Sequence, residues 1–197
     1  MPFATTPAGW QEHTVEPSGI ALSLPPKWLA FDEADLADPA VQAMLAADFV
    51  GARGLFTAIA AQGARVRLVF LGVDPAGRGA PTMPATVAVV AIEPRIPAVG
   101  LEIGANLVVR GLELGLDVET DVTRERIKTP VGEAVRIAFD HRVASATGPR
   151  GVRVALDGAL VSTDRASFLV LRNVDAATDE ASALSLDAVL GTLRELP

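Results

Sequence analysis

Cysteine and tyrosine are absent from this 197-residue chain, and histidine occurs only twice. Without cysteine there are no disulfides, no thiolate nucleophiles, no thiolate metal ligands and no lipid attachment through sulfur. Two histidines are too few for a His-rich zinc cage. The lack of tyrosine removes a common proton donor and a common interface anchor. No apolar run approaches the roughly 20 residues needed to span a bilayer, so no membrane insertion is expected. The N-terminus, Met1-Pro-Phe-Ala-Thr-Thr-Pro7, has neither the basic segment nor the apolar segment of a signal peptide. A cytoplasmic location is the expectation if Met1 is the native start, and an exported domain without its leader is the alternative.

Recognisable chemistry is also missing. The serines include no Gly-x-Ser-x-Gly elbow. Gly72–Gly79 is glycine-rich but lacks the spacing and the Lys-Ser/Thr ending of a phosphate loop. His13 and His141 sit in no nucleophile or metal motif, and His141 falls on the apolar side of a strand pattern, as a structural histidine would. No catalytic residue, metal ligand or cofactor is expected.

What is present describes a folded protein. Half of the residues are hydrophobic and 21% are charged, enough for one core and one domain. The net charge of −7 disfavours nucleic acid and anionic membranes. The charge is unevenly spread: residues 1–60 carry two basic and seven acidic side chains, and residues 124–153 carry seven basic and three acidic. Arg136, Arg142 and Arg153 belong to that basic block. They have two readings, a docking face for an acidic partner or cross-strand pairing with the neighbouring acidic row. Asp117, Glu119 and Asp121 alternate on one strand face, but calcium needs ligands wrapped around it, so a solvated face is the simpler reading.

Residues 1–11 read as a flexible arm and 12–197 as a single domain. Ile20, Leu22 and Leu24 alternate with small residues, which marks a half-buried strand ended by Pro25-Pro26. Asp38-Pro39 is a helix start, with Asp as N-cap and Pro at the first helical position. It opens a helical insertion over about 38–62. That insertion is apolar on more than one side, so Met44, Phe49 and Phe56 are candidates for an exposed patch used for a protein partner or for self-association. Strands are expected over 65–73 and 85–92, the second apolar on both faces, then a helix from Gly100 with Leu101, Ala105, Val108 and Leu112 on one stripe. Alternation predicts further strands at 116–123, 135–140, 152–156 and 167–174, with 144–151 as a loop and Asp157-Gly158 as a bulge or turn. Ser185 caps a closing helix through Leu186, Val189, Leu190 and Leu193. Trp28, Val89, Phe139, Leu169 and Leu190 are the expected core. The whole is an α+β fold, an antiparallel sheet with helices on both faces.

Gly19-Ile-Ala-Leu-Ser-Leu-Pro-Pro-Lys-Trp28 resembles the early "strand, Pro, x, Trp" signature of the PsbP-like fold. Pro130-Val-Gly-Glu-Ala-Val-Arg136 resembles that group's later turn into a strand, and Arg165-Ala-Ser-Phe-Leu-Val-Leu171 its last strand. The group includes PsbP-type photosystem proteins, Ran-binding Mog proteins, DcrB-like proteins and LpqN-type lipoproteins of bacteria. The resemblance implies an α/β/α sandwich and a non-enzymatic role: a protein-binding accessory factor such as an assembly factor, adaptor or secretion chaperone. A small-ligand-binding protein or hydrolase, with a pocket between sheet and helices, is the alternative.

Overall fold

Alternating valine, leucine and isoleucine segments, separated by Pro, Gly and Asp-rich turns, build a sheet of antiparallel pairs. The computed structural model describes residues 6–49, 66–78, 84–145, 148–177, 179 and 184–197. The strands are β1 (Gln11–Val15), β2 (Ile20–Leu24), β3 (Leu29–Asp32), β4 (Val66–Val73), β5 (Thr86–Ile92), β6 (Asp117–Val118), β7 (Thr123–Thr129), β8 (Gly132–Ser145), β9 (Gly148–Ser162), β10 (Ser167–Asp175) and β11 (Arg194–Glu195). The helices are α1 (Glu33–Ala37), α2 (Pro39–Asp48), α3 (Leu101–Gly115) and α4 (Leu186–Gly191). The large sheet runs β3-β4-β5-β10-β9-β8-β6, and β7 pairs with the other half of β8. A small sheet, β1-β2-β11, joins the two ends of the chain.

Period-two alternation sends successive side chains to opposite faces of the large sheet, so it has two cores. On one face α2 and α3 cover Leu71, Val90, Val135, Ile137, Phe139, Leu160 and Leu171. On the other, the small sheet and α4 cover Phe70, Val89, Val161, Phe168 and Val170. Helices therefore lie on both faces, but the second face is covered mainly by strands and a helix of six residues. β5 sits between β4 and β10. Its burial on both sides is why its sequence is apolar at nearly every position.

Several details follow from local chemistry. The Asp38 side chain accepts from Ala40 N, and Ser185 accepts from Ala188 N, as their cap positions require. Asp32 and Asp35 form a capping box at α1. After Pro25-Pro26 the chain turns through Lys27 in the left-handed region, φ 72°. Trp28 is thereby brought back against the second core, where it is half-buried rather than fully buried. Gly72 makes room for it: a Cβ there would overlap Leu24 Cδ1 and stand 3.3 Å from Trp28 Cε3. Trp10 packs against the same core, and β1 already begins at Gln11, inside the expected arm.

Three expected boundaries are corrected. Residues 144–151 are not a loop at their ends, because β8 runs to Ser145 and β9 starts at Gly148. Asp157-Gly158 is neither bulge nor turn. Pairing with β8 and β10 runs through it without a register shift, and Gly158 is small because Leu171 Cδ2 would lie 2.7 Å from a Cβ there. The expected strand 116–123 is broken: β6 stops at Val118 and β7 starts at Thr123, so two short strands share the edge of β8.

Candidate functional site

α3 carries more apolar side chains than one buried stripe can use. Leu101, Ala105, Val109 and Leu112 face the sheet and are buried. Gly104 lets the helix settle closely, since a Cβ there would lie 2.7 Å from Ile96 Cδ1 and 3.3 Å from Leu160 Cδ2. At about 100° per residue, Ile103, Leu107, Arg110 and Leu114 fall within roughly 60° of one another on the opposite side. Ile103 is 69% exposed, Leu107 65% and Leu114 91%, and Val99, just before the helix, is 90% exposed. These four are the exposed large hydrophobics among the described residues. A surface that faces water does not gain by lining up such side chains, so the stripe is the feature that calls for a function.

Polar groups flank this stripe on one side. Glu102, Asn106 and Glu113 are exposed there. A groove of about 310 Å³ lies between α3 and β7, lined by Glu102, Asn106, Arg124, Glu125, Arg126 and Val135. Arg126 Nη2 donates to Ala98 O at 2.9 Å, and its Nε is 3.8 Å from Glu102. A second, wider cavity of about 580 Å³ includes Arg95, Glu133, Asp164 and Arg194 in its lining. Its cations are engaged within the chain, Arg95 with Thr163 O and Arg194 with Glu12.

The basic residues singled out in the sequence hold intramolecular pairs. Arg136 Nε donates to Asp157 Oδ1 at 2.9 Å, and its Nη1 donates to Asp187 on α4 at 3.2 Å. The hydrogen bonds Arg136 donates to Asp157, followed by the charges of Asp157 and Asp187, raise the guanidinium pKa against the opposing effect of burial. Arg142 Nε donates to Glu119 Oε1 at 2.8 Å, and Arg153 pairs with Asp140 and, at 3.9 Å, with Glu119. Glu119 thus serves as a cross-strand counter-ion, in line with pairing against the acidic row.

The apolar insertion is placed differently from the expectation at one of its three residues. Phe49 is buried in the first core and so does not belong to an open surface. It is the C-cap residue of α2 and joins the core cluster to which Leu71 and Val73 of β4 also belong. Met44 is half-buried and packs on the same core. Phe56 lies outside the described residues.

The histidines are apart from one another and from this surface. His141 is fully buried beside Phe139, with ring centroids 6.1 Å apart, and neither ring nitrogen makes a hydrogen bond of normal geometry. Burial lowers its pKa, opposed more weakly by the Asn173 side chain, the Arg142 backbone and Asp140. His13 stacks at a tilt near Phe70, and burial lowers its pKa too. Among the described residues no group of three or more His, Asp or Glu side chains could hold a metal ion. No described helix is long and apolar enough to cross a membrane.

No protein-family model and no curated protein matches the chain. Its architecture does match solved structures. Cyanobacterial PsbP (CyanoP) from Synechocystis sp. PCC 6803 superposes over 95% of this chain and 93% of its own, with a TM-score of 0.50 and 12% identity. A Pseudomonas aeruginosa protein of unknown function, PA94, aligns over 88% of this chain and 91% of its own, with a TM-score of 0.37 and 11% identity. The chain has the PsbP-like fold: an α+β domain built on a large antiparallel sheet. At 12% identity the likeness to PsbP is one of fold, and fold alone does not fix function.

Proposed function

We propose that this chain is a non-catalytic protein-binding accessory factor, acting as an assembly factor, adaptor or secretion chaperone. One observation carries the reading: the outer face of α3 presents Ile103, Leu107 and Leu114 as an exposed apolar stripe, with exposed Val99 just before the helix. Apolar area gains free energy when another surface covers it, at about 25 cal/mol per Å² before the costs of association. The stripe is convex and lies on a rigid helix, so it suits a macromolecular surface better than a small molecule, which needs a concave pocket. The groove beside it adds charged rim groups that set orientation more than affinity.

A photo-crosslinking amino acid at position 107 tests this reading in cells. Irradiation should give protein adducts through position 107 and fewer through position 16, an exposed control site between β1 and β2 on the other side of the large sheet. Equal labelling at both positions, or none at 107, overturns the reading.

A further inference from the structure

We infer that the surface covering the α3 stripe is a second copy of this chain, packed antiparallel on its own α3 about a two-fold axis. This rests on the reading of α3 as a protein-binding face and names its occupant. The argument comes from the placement of charge within the stripe. Arg110 lies among Ile103, Leu107 and Leu114, is exposed, and makes no ion pair among the described residues. A cation inside an apolar contact must meet an anion from the other side, or the contact is lost.

A second copy already supplies that anion. With the two-fold axis beside Asn106 and Leu107, residues equally far from that point on the two helices face one another. Leu114 of one copy then meets Val99 of the other, and Leu107 lies beside its own counterpart. Ile103 packs along the aliphatic stem of Arg110, which covers apolar surface while its head stays polar. The guanidinium is one residue from Glu102 of the second copy. Because the axis keeps each flank of α3 on the same side of the pair, Glu102 and Arg110 meet on one flank, and they do so twice by symmetry. A parallel pairing in the same register would set Arg110 against Arg110, and it would align the two helix dipoles unfavourably. A foreign partner would need its own carboxylate at the same point of an apolar helix or strand.

One helical stripe buries less than the roughly 800 Å² per partner of a standard interface, so the dimer is weak and depends on concentration. Sedimentation velocity of the purified chain at low salt, up to about 500 µM, reads it directly at concentrations where such an interface is populated. The expected result is a monomer–dimer equilibrium. Leu107→Asp at the axis should leave only monomer, with an unchanged melting temperature because Leu107 is not in the core. Arg110→Glu and Glu102→Arg should each weaken the dimer about tenfold, through loss and reversal of two symmetry-related pairs. The double variant Arg110→Glu/Glu102→Arg should restore it, which a structural role for either residue would not. Monomer at every concentration overturns the inference, as does a dimer indifferent to Leu107→Asp or a double variant no better than the single ones. A monomeric chain that still crosslinks other proteins through position 107 overturns the second copy and leaves the protein-binding reading standing. A chain with neither property overturns both.

Discussion

His141 and Asn173 lie on the same face of the large sheet with β9 between them, both fully buried, and each keeps at least one side-chain polar atom without a hydrogen bond. Such a cluster is costly in an otherwise apolar layer, because its groups lose water without a full replacement. The cost depends on pH. Burial lowers the folded-state pKa of His141 below the ordinary value of 6.5, and the same holds for His13. The unfolded chain therefore binds more protons than the folded chain in that window. The histidine contribution to stability is fully present above about pH 6.5 and is lost as pH falls through the depressed folded values. Urea midpoints should be lower at about pH 5 than at about pH 7.5. His141→Leu should fold and flatten this drop. An equal drop in the variant would place the effect elsewhere.

Gly72 should resist even a single added carbon. Its Cβ would displace Leu24 and press on Trp28, so Gly72→Ala should cost about 1–3 kcal/mol by overpacking. In a Trp10→Phe background the remaining emission reports Trp28 alone. It should shift to the red as the ring is pushed toward water. An unshifted spectrum and an unchanged melting temperature would show that this corner has slack.

The buried cation Arg172 and its counter-ion Asp179 should respond unequally to truncation. Arg172 Nε donates to Leu184 O, and its Nη2 donates to Asp179 Oδ1, both at 2.6 Å. The arginine side chain is 6% exposed and the aspartate 39%. Asp179→Ala leaves a buried guanidinium short of charge compensation and should cost about 2–4 kcal/mol. Arg172→Met removes the buried charge and leaves a carboxylate that water can reach, so it should cost less. Denaturant titration of both variants decides, and the opposite order would sink the argument.

The basic block should not confer nucleic-acid binding. Arg136, Arg142 and Arg153 face carboxylates of their own chain, and the net charge is −7. Phosphate contacts would have to break these pairs before releasing counterions. A gel shift with duplex or single-stranded DNA at micromolar protein should show no complex. A salt-sensitive shift would mean that the remaining cations of β7, Arg124 among them, outweigh the rest.

The fold was legible where local chemistry and tertiary packing agree. Ile20–Leu24, the Asp38 cap and the alternation through Phe139 could be read directly, and Val89, Phe139, Leu169 and Leu190 are buried as their register requires. The edge strands were less legible. β7 reads Thr-Arg-Glu-Arg-Ile-Lys-Thr, nearly all polar, because an edge exposed to water needs no apolar alternation. β3 is four residues long and contributes too few positions for a pattern. Gly158 looked like a turn because the constraint that selects it, the Leu171 side chain on the next strand, is distant in sequence. The α3 stripe did leave a signal, since Ile103, Leu107 and Leu114 recur at helical spacing. It was masked by the buried stripe through Leu101, Ala105 and Leu112 on the same helix, which accounts for most of the apolar content. Surplus apolar residues were visible in the insertion at Phe49 instead, where the core absorbs that ring.

The small sheet has a consequence for how this chain can be made. β2 pairs with β1 beside it, but its other edge waits for β11, and Ser23 N donates to Thr192 Oγ1 across a separation of 169 residues. During translation the N-terminal segment emerges first, while α4 and β11 are still to be synthesised. The layer formed by Val15, Ile20, Leu22 and Leu24 must then remain without Leu186, Val189 and Leu190, which complete its packing. Closing so long a loop comes late and slowly. A nascent chain halted before residue 186 should therefore hold the large sheet's second face open to chaperones, and emergence of the segment carrying α4 and β11 should be the event that seals it.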